Sequence, residues 1–319
     1  MSRSKLLSLN NSEAAITPPH VTTYAGLSRL KARLGVAALM GTATAFFCTF
    51  LLRHFHQGAA DFTWTLRLSE HLLRRENPYD TPLEQYPMLA GFAGLPFLWL
   101  KPEVAAGLFY GISAGWLAFG LSRDGWHRLL VFLAYPFWAG VITAQWPPLI
   151  AAAAFFPILL PVTMMKPQVG FPVALTHLTR RGVVACAVVV LLSQAIAPKW
   201  PFWWLHQLGN YEHFVPMWTL PGPILALALI QYRKREAWLL FLAALMPQRW
   251  FFDAFTLWLI PKSRRDILIT GAVSWGAGIW RWYYAPHTFT EVGRVAVIFL
   301  YLPMLVVLLR SARKSASKA

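Results

Sequence analysis

The chain has 319 residues, of which 57% are hydrophobic and only 13% are charged, and its mean hydropathy is +0.46. Such a composition excludes an ordinary soluble domain, because the folded chain would expose far more apolar surface than water tolerates. The net charge of +16 would suggest nucleic acid as the partner of a soluble protein, yet Lys and Arg lie here in short clusters between apolar runs, as membrane-orientation signals do. We therefore predict an integral membrane protein that has no nucleic-acid partner.

Apolar segments of about the length that crosses a bilayer recur from residue 34 to residue 310, and no long hydrophilic block separates them. They predict an all-α, polytopic membrane protein with about eight to ten transmembrane helices. The whole chain, residues 1–319, is then a single transmembrane domain. Prolines punctuate residues 87–178, and they predict broken or partial helices that line a cavity.

The first apolar run, Leu34 to Leu52, follows a segment that carries five basic residues and one acidic residue, so residues 1–33 are predicted to be a cytoplasmic tail. A cleaved signal peptide is the competing interpretation, but the preceding tail is too long for one. Residues 53–86, which follow this first span, are then the first outer loop. Later basic clusters predict a second outer loop at residues 198–221 and a second cytoplasmic tail at residues 311–319.

The first outer loop carries a predicted amphipathic helix that lies along the membrane surface. Apolar residues such as Phe62 and Leu66 recur there at helical spacing, and Arg67 and Arg74 lie on other faces. Asn77 and the proline after it end the helix, because a residue that precedes proline leaves the α region.

Asp61 opens this helix just after the first apolar run. A carboxylate where a membrane helix meets water can act as a general base and take the proton of an attacking hydroxyl. The alternative is that Asp61 only caps the helix that starts at Phe62, since Asp is a favoured capping residue. The two roles do not exclude each other.

Tyr79 and Asp80 follow in the tetrapeptide Asn77-Pro78-Tyr79-Asp80, which needs no function if it is only a turn. Its functional interpretation has Tyr79 or Asp80 lining a sugar or acceptor pocket.

Lys166 and Gln168 lie in an apolar stretch from Leu149 to Leu175, so a charged amine is expected near membrane depth. Either the lysine is functional or it reaches the lipid headgroups from a short interfacial turn. Gln145, at a broken helix end, either lines a cavity or bridges neighbouring helices.

The second outer loop contains several tryptophans that are typical of an interfacial belt, followed by polar residues. Lys199, His206 and His213 are candidates there for contact with a phosphate or a sugar, with a purely structural role as the alternative. Arg249 could clamp a lipid-linked phosphate with its fork of N–H donors, or could simply pair with Asp253.

The sequence predicts no metal site and no cofactor. The His and Glu residues of the second outer loop lack a conventional metal-ligand spacing. No phosphate-cradling Gly-rich loop, zincin motif or nucleophile elbow is present either, which disfavours soluble nucleotide-dependent enzymes.

Four pieces in this order carry a resemblance: Asp61 after the first helix, the amphipathic stretch that closes at Asp80, Ala144-Gln145, and Lys166-Pro167-Gln168. The pattern resembles the multi-spanning GT-C glycosyltransferases that use polyprenyl-phosphate-linked sugars, most nearly glycosyltransferase family 87 with its mannosyltransferases. The likeness covers roughly the first half of the chain. The chain departs from the family at Ala144, where Gly is common, and in a shortened loop before Lys166.

The resemblance implies an inverting hexosyltransferase of the bacterial plasma membrane, in which the basic clusters already place both termini in the cytoplasm. It would move a sugar such as mannose from a polyprenyl-phosphate donor to a lipid or glycan acceptor on the outer face. Asp61 would be the general base, and Arg249, Lys199 or Lys166 would stabilise the leaving phosphate.

Two other classes remain open. A lipid or solute transporter would show corresponding interrupted segments in two halves, and the sequence shows no such symmetry. In a non-catalytic membrane scaffold subunit, Asp61 would be only a helix cap, and its replacement by Asn would leave activity unchanged.

Overall fold

A computed structural model describes residues 19–80, 86–208, 212–284 and 288–316. Part of the predicted N-terminal tail (residues 1–18), parts of the two predicted outer loops (residues 81–85 and 209–211) and the end of the C-terminal tail (residues 317–319) lie outside the described residues.

The described residues form helices and no β-strand. The α-helices, in chain order, are α1 (Pro19–His54), α2 (Phe62–Arg74), α3 (Ala90–Gly94), α4 (Pro102–Leu121), α5 (Tyr135–Thr143), α6 (Pro147–Ala152), α7 (Pro167–Thr176), α8 (Arg180–Ile196), α9 (Trp200–Gln207), α10 (Arg235–Leu245), α11 (Arg264–Tyr283), α12 (Phe289–Ala296) and α13 (Leu302–Ala316). Segments of 3₁₀ helix lie between them at Pro78–Asp80, Leu95–Phe97, Trp126–Leu133, Pro157–Met164, Pro216–Trp218, Gly222–Gln231 and Phe251–Leu259, and a π-helical stretch, Val297–Tyr301, joins α12 to α13.

Three helical segments of the described chain are long and apolar enough to cross a bilayer: Leu27–His54, Pro102–Leu121 and Phe289–Ser311. Helices α8 and α9 pass the same test only together, and they are bent by 97° at the break between them. The all-helical membrane fold is thus confirmed. The predicted eight to ten crossings are not confirmed, since the described residues hold three or four candidate spans.

Short helices occupy the proline-rich stretch in place of full spans. Helices α5, α6 and α7 and the segment Pro157–Met164 each carry a proline in the first turn. Proline suits that position because the first turn needs no N–H donor, and it stops a preceding helix from continuing. The broken helices therefore follow directly from the prolines that mark them in the sequence.

Helix α1 extends further towards the N-terminus than the first apolar run suggests. It begins at Pro19, so residues 19–33 of the predicted tail are helical. No further proline interrupts this stretch, and its Leu, Lys and Arg residues favour helix. The cytoplasmic position of the tail stays a prediction.

Helices α1 and α4 pack closely along small residues. On α4, Gly107, Gly111 and Gly115 recur every fourth position and so share one face. A Cβ atom at Gly41 of α1 would lie only 3.0 Å from the carbonyl oxygen of Gly111. Arg33 adds a polar tie, since its Nη2 donates to the carbonyl oxygen of Phe119 at 2.7 Å. This contact fixes α1, which leads into the turn that carries Asp61.

Helix α2 is amphipathic, as predicted. Phe62, Leu68 and Leu72 are buried on one side, whereas Arg67 and Arg74 are exposed. The ring of Phe62 stacks on Phe109 of α4 with centroids 4.4 Å apart. The apolar side of α2 therefore packs on protein, and its position along a membrane surface remains a prediction.

Replacing Gly111 by Leu is expected to lower the free energy of unfolding by about 1–3 kcal/mol, because the added side chain meets the backbone of Gly41 and the side chain of Ala45. Unfolding in detergent micelles, followed by circular dichroism, measures the loss. Gly35→Leu is the matched control, since a Cβ at Gly35 meets no atom within 4 Å. Equal stability of the two variants would contradict the close packing of α1 on α4.

Candidate functional site

The side chain of Asp61 does not cap the helix that it precedes. Asp61 occupies the N-cap position of α2, but its carboxylate accepts no capping hydrogen bond from that helix. It accepts a hydrogen bond from Nε2 of Gln145 instead. Its backbone N–H donates to the carbonyl oxygen of Thr143 at 3.3 Å, which ties the turn before α2 to the end of α5.

Gln145 reaches Asp61 because the chain reverses sharply after α5. Ala144 ends that helix in the left-handed conformation, with φ at 51° and ψ at 54°. Glycine adopts this conformation without the steric penalty that a Cβ brings. The reversal places Gln145 between α5 and α6, where it is fully buried.

Lys166 lies on the other side of the Gln145 amide. It directly precedes the proline that begins α7, and its Nζ donates to Oε1 of Gln145 at 2.7 Å. The same ammonium lies 2.8 Å from Oδ1 of Asp253 and 4.8 Å from the centre of the Phe252 ring. Only 3% of Lys166 is exposed, so these groups replace water around its charge.

Asp253 is held by backbone donors as well as by the lysine. Its Oδ2 accepts hydrogen bonds from the backbone N–H groups of Arg249 at 3.0 Å and Trp250 at 3.4 Å. The residue is 2% exposed and lies in the segment Phe251–Leu259. The carboxylate is therefore fixed at the start of a helical segment, where backbone N–H groups favour a negative charge.

These contacts form one continuous polar chain, which we define as Asp61, Gln145, Lys166 and Asp253. Three of its members are buried, and Asp61 alone is partly exposed. The chain joins the turn before α2, the α5–α6 junction, the start of α7 and the segment Phe251–Leu259. Asp61, the partly exposed residue, lies at one end of the chain.

The pKa of Asp61 is raised above its ordinary value. Burial is the largest cause, because it disfavours the charged form. The charge of Lys166, the hydrogen bond from Gln145 and the charge of Arg249 act in the opposite direction, and the charge of Asp253 raises the pKa further. Asp61 thus keeps its proton to a higher pH than an exposed aspartate does.

Comparison with known proteins leaves this geometry to be interpreted by itself. No family model, curated protein or solved structure matches the chain. The resemblance to GT-C enzymes accordingly rests on the short motifs alone. Among the described residues, no group of three or more His, Cys, Asp or Glu side chains is arranged to hold a metal ion.

Three of the other predicted site residues, Gln168, His213 and Arg249, lie around Gln248. The carbonyl oxygen of Gln168 accepts a hydrogen bond from Nε2 of Gln248 at 3.4 Å. Gln248 also exchanges two backbone hydrogen bonds with Phe214, at 2.9 and 2.7 Å. In such an antiparallel pair the next positions, His213 and Arg249, follow opposite each other. Both of these residues are exposed.

The tetrapeptide around Tyr79 and Asp80 forms the turn that its sequence suggests. Asp80 is exposed and accepts a hydrogen bond from Nδ2 of Asn77 at 2.5 Å. The buried Tyr79 donates its hydroxyl hydrogen to the carbonyl oxygen of Tyr86 at 2.9 Å. These contacts account for both residues structurally, and their role in ligand binding stays a prediction.

Lys199 and His206 are exposed at the start and near the end of α9. The helix is tied to the first outer segment, because Nε2 of Gln207 donates to the carbonyl oxygen of Tyr79 at 2.8 Å. The structure therefore brings the two predicted outer segments together. Contact of Lys199 or His206 with a ligand remains a prediction.

Asp253 is the member of the polar chain that sequence reasoning missed, since it was considered only as a partner of Arg249. The structure pairs its carboxylate with Lys166 and with the backbone of Arg249. A signal was present in the sequence. Asp253 is the only acidic residue between Glu236 and Asp266, and Lys166 stands equally alone in its apolar stretch. Two isolated opposite charges in apolar surroundings are expected to pair.

Lys166→Met is expected to lower the free energy of unfolding by about 3–5 kcal/mol, because it leaves the buried charge of Asp253 without the opposite charge that it pairs with. The double variant Lys166→Met/Asp253→Leu should regain most of this loss, since apolar groups can replace a buried ion pair. Unfolding in detergent micelles measures both effects, with the exposed Lys101→Met as control. A double variant no more stable than the single one would contradict the pairing.

Proposed function

We propose that the chain is a GT-C-type membrane glycosyltransferase. It transfers a hexose such as mannose from a polyprenyl-phosphate donor to a hydroxyl of a lipid or glycan acceptor, and Asp61 is the general base. The observation that carries the proposal is the place of Asp61: its carboxylate caps no helix, the residue is partly exposed, and it ends a buried polar chain.

The geometry suits a base because only one oxygen of the carboxylate is engaged. Gln145 donates to Oδ2, and Oδ1 accepts no hydrogen bond from the described residues. An acceptor hydroxyl can therefore donate to Oδ1. As the hydroxyl oxygen attacks the anomeric carbon, its proton passes to Asp61 and the bond from that carbon to the phosphate oxygen breaks. The configuration inverts, and the lipid phosphate leaves with the bonding electrons.

The leaving phosphate gains negative charge and needs a cation. Of the three predicted candidates, Arg249 and Lys199 are exposed, whereas Lys166 is buried against Asp253. Arg249 is near enough for its charge to lower the pKa of Asp61. Its guanidinium matches phosphate oxygens with two parallel N–H groups, so we assign the phosphate to Arg249 first and to Lys199 second.

Two further observations support the proposal. The chain has helices long and apolar enough to cross a bilayer, which is where a lipid-linked donor would lie. The left-handed conformation of Ala144 is one that glycine adopts without strain, and glycine is common before the glutamine in the enzymes that this chain resembles. The proposal includes the predicted orientation, with both termini in the cytoplasm of a bacterium and the reaction at the outer face.

Asp61→Asn is expected to reduce sugar transfer about 10²- to 10⁴-fold, because the amide cannot take the proton of the acceptor. The measurement uses protein reconstituted with polyprenyl-phosphate mannose and candidate acceptors. In the unchanged protein, transfer should rise with pH through a pKa above that of an ordinary aspartate, since Asp61 must lose its proton to act.

Glu70→Gln is the control, because Glu70 lies exposed on α2 and also loses one negative charge. It should retain full transfer. Transfer that survives Asp61→Asn would remove Asp61 from the role of base. A native protein that consumes no donor with any acceptor would favour a transporter or a scaffold.

A further inference from the structure

Lys166 and Asp253 are too deeply buried to contact a substrate. They are nevertheless linked through Gln145 to Asp61, the one partly exposed residue of the polar chain. We propose that these two residues are positioning residues that act on Asp61 through the Gln145 amide, Lys166 by favouring the ionised carboxylate and Asp253 by limiting that effect. The inference rests on the proposed role of Asp61 as the base.

The Gln145 amide transmits this effect because its two ends differ. An ammonium group can only donate, and an ionised carboxylate can only accept. The amide oxygen must therefore face Lys166 and the amide nitrogen must face Asp61, as the structure has them. One amide separates the positive charge from the carboxylate, and its dipole is aligned to stabilise the negative charge on Asp61.

Asp253 prevents Lys166 from leaving this position. The ammonium is held between Oδ1 of Asp253, Oε1 of Gln145 and the ring of Phe252, and only 3% of the residue is exposed. Asp253 is itself fixed by the backbone N–H groups of Arg249 and Trp250. The lysine charge therefore stays at a fixed place relative to Asp61.

The charged groups that act on Asp61 come from two elements. Lys166 precedes α7, and Arg249 and Asp253 lie just before and within Phe251–Leu259. The positive charges lower the pKa of Asp61, and the negative charge of Asp253 raises it. Removal of Lys166 and removal of Asp253 should then shift the ionisation of Asp61 in opposite directions.

A purely structural role gives a different result. A variant that loosens the packing lets water reach Asp61, and hydration lowers the pKa of a carboxylate that burial has raised. Loosening would therefore lower the pKa of Asp61 in both variants. Loss of the lysine charge, or of the Gln145 hydrogen bond that the lysine orients, instead raises the pKa of Asp61.

The test is the pH dependence of sugar transfer in the reconstituted protein. Transfer is expected to fall off on the acidic side of its pH profile. We expect the midpoint of this acidic limb to lie about one pH unit higher in Lys166→Met and at lower pH in Asp253→Asn, with the double variant between them. Lys166→Arg, which keeps the charge, should leave the limb near its original position. Lys101→Met and Glu70→Gln, which change exposed charges, should leave it unmoved.

A second readout needs no substrate. Infrared difference spectra of protein labelled with a heavy isotope at the aspartate carboxyl carbons, taken against Asp61→Asn, follow the proton on Asp61 directly. In these spectra the pKa of Asp61 is expected to rise in Lys166→Met and to fall in Asp253→Asn. If transfer is never detected but the spectra shift as stated, the proposed function fails and the coupling stands.

The inference would be overturned if the pKa of Asp61 shifted in the same direction in the lysine and aspartate variants, or if it shifted in neither. Lys166→Gln, which removes the charge but can still donate to Gln145, takes the place of Lys166→Met if the latter does not fold.

Discussion

The buried ion pair between Lys166 and Asp253 is the constraint on which the site depends. Two charges removed from water are tolerated only when they lie close together and their remaining hydrogen-bonding groups find partners. Here the ammonium and the carboxylate are 2.8 Å apart, and Gln145 and two backbone N–H groups complete their surroundings. Because the partners come from separate segments, the pair fixes where the α5–α6 junction, the start of α7 and Phe251–Leu259 meet.

Asp61 gains its chemical properties from its place at the edge of this arrangement. Close packing of α1 on α4 fixes where α1 ends relative to α4. The buried side of α2 packs against α4 as well. The turn between α1 and α2 brings the carboxylate to Gln145 at the edge of the buried region. Burial then raises the pKa of Asp61 while the lysine opposes that rise, which keeps the group able to gain and lose a proton.

The sequence predicted the helical membrane fold, the proline-marked breaks and the amphipathic helix, because hydrophobicity, proline and helical spacing are local signals. It also singled out Asp61, Gln145 and Lys166, since polar groups are costly in apolar surroundings and so stand out. It could not show that these three form one chain with Asp253, because the partners lie up to 192 positions apart, from residue 61 to residue 253. The number of membrane crossings could not be predicted from the sequence either, since short apolar helices resemble parts of full spans.

If the site is arranged as proposed, water outside the cell reaches the polar chain at Asp61 and not at its buried members. Substituted-cysteine labelling in intact cells tests it, in a chain whose native Cys48 and Cys186 are replaced by Ala. A membrane-impermeant thiol reagent added outside should modify Asp61→Cys readily and Gln145→Cys slowly, because the first position is partly exposed and the second is fully buried. Equal labelling of the two positions would contradict the burial of Gln145, and labelling of Asp61→Cys only after the cells are opened would contradict the proposed outer position of Asp61.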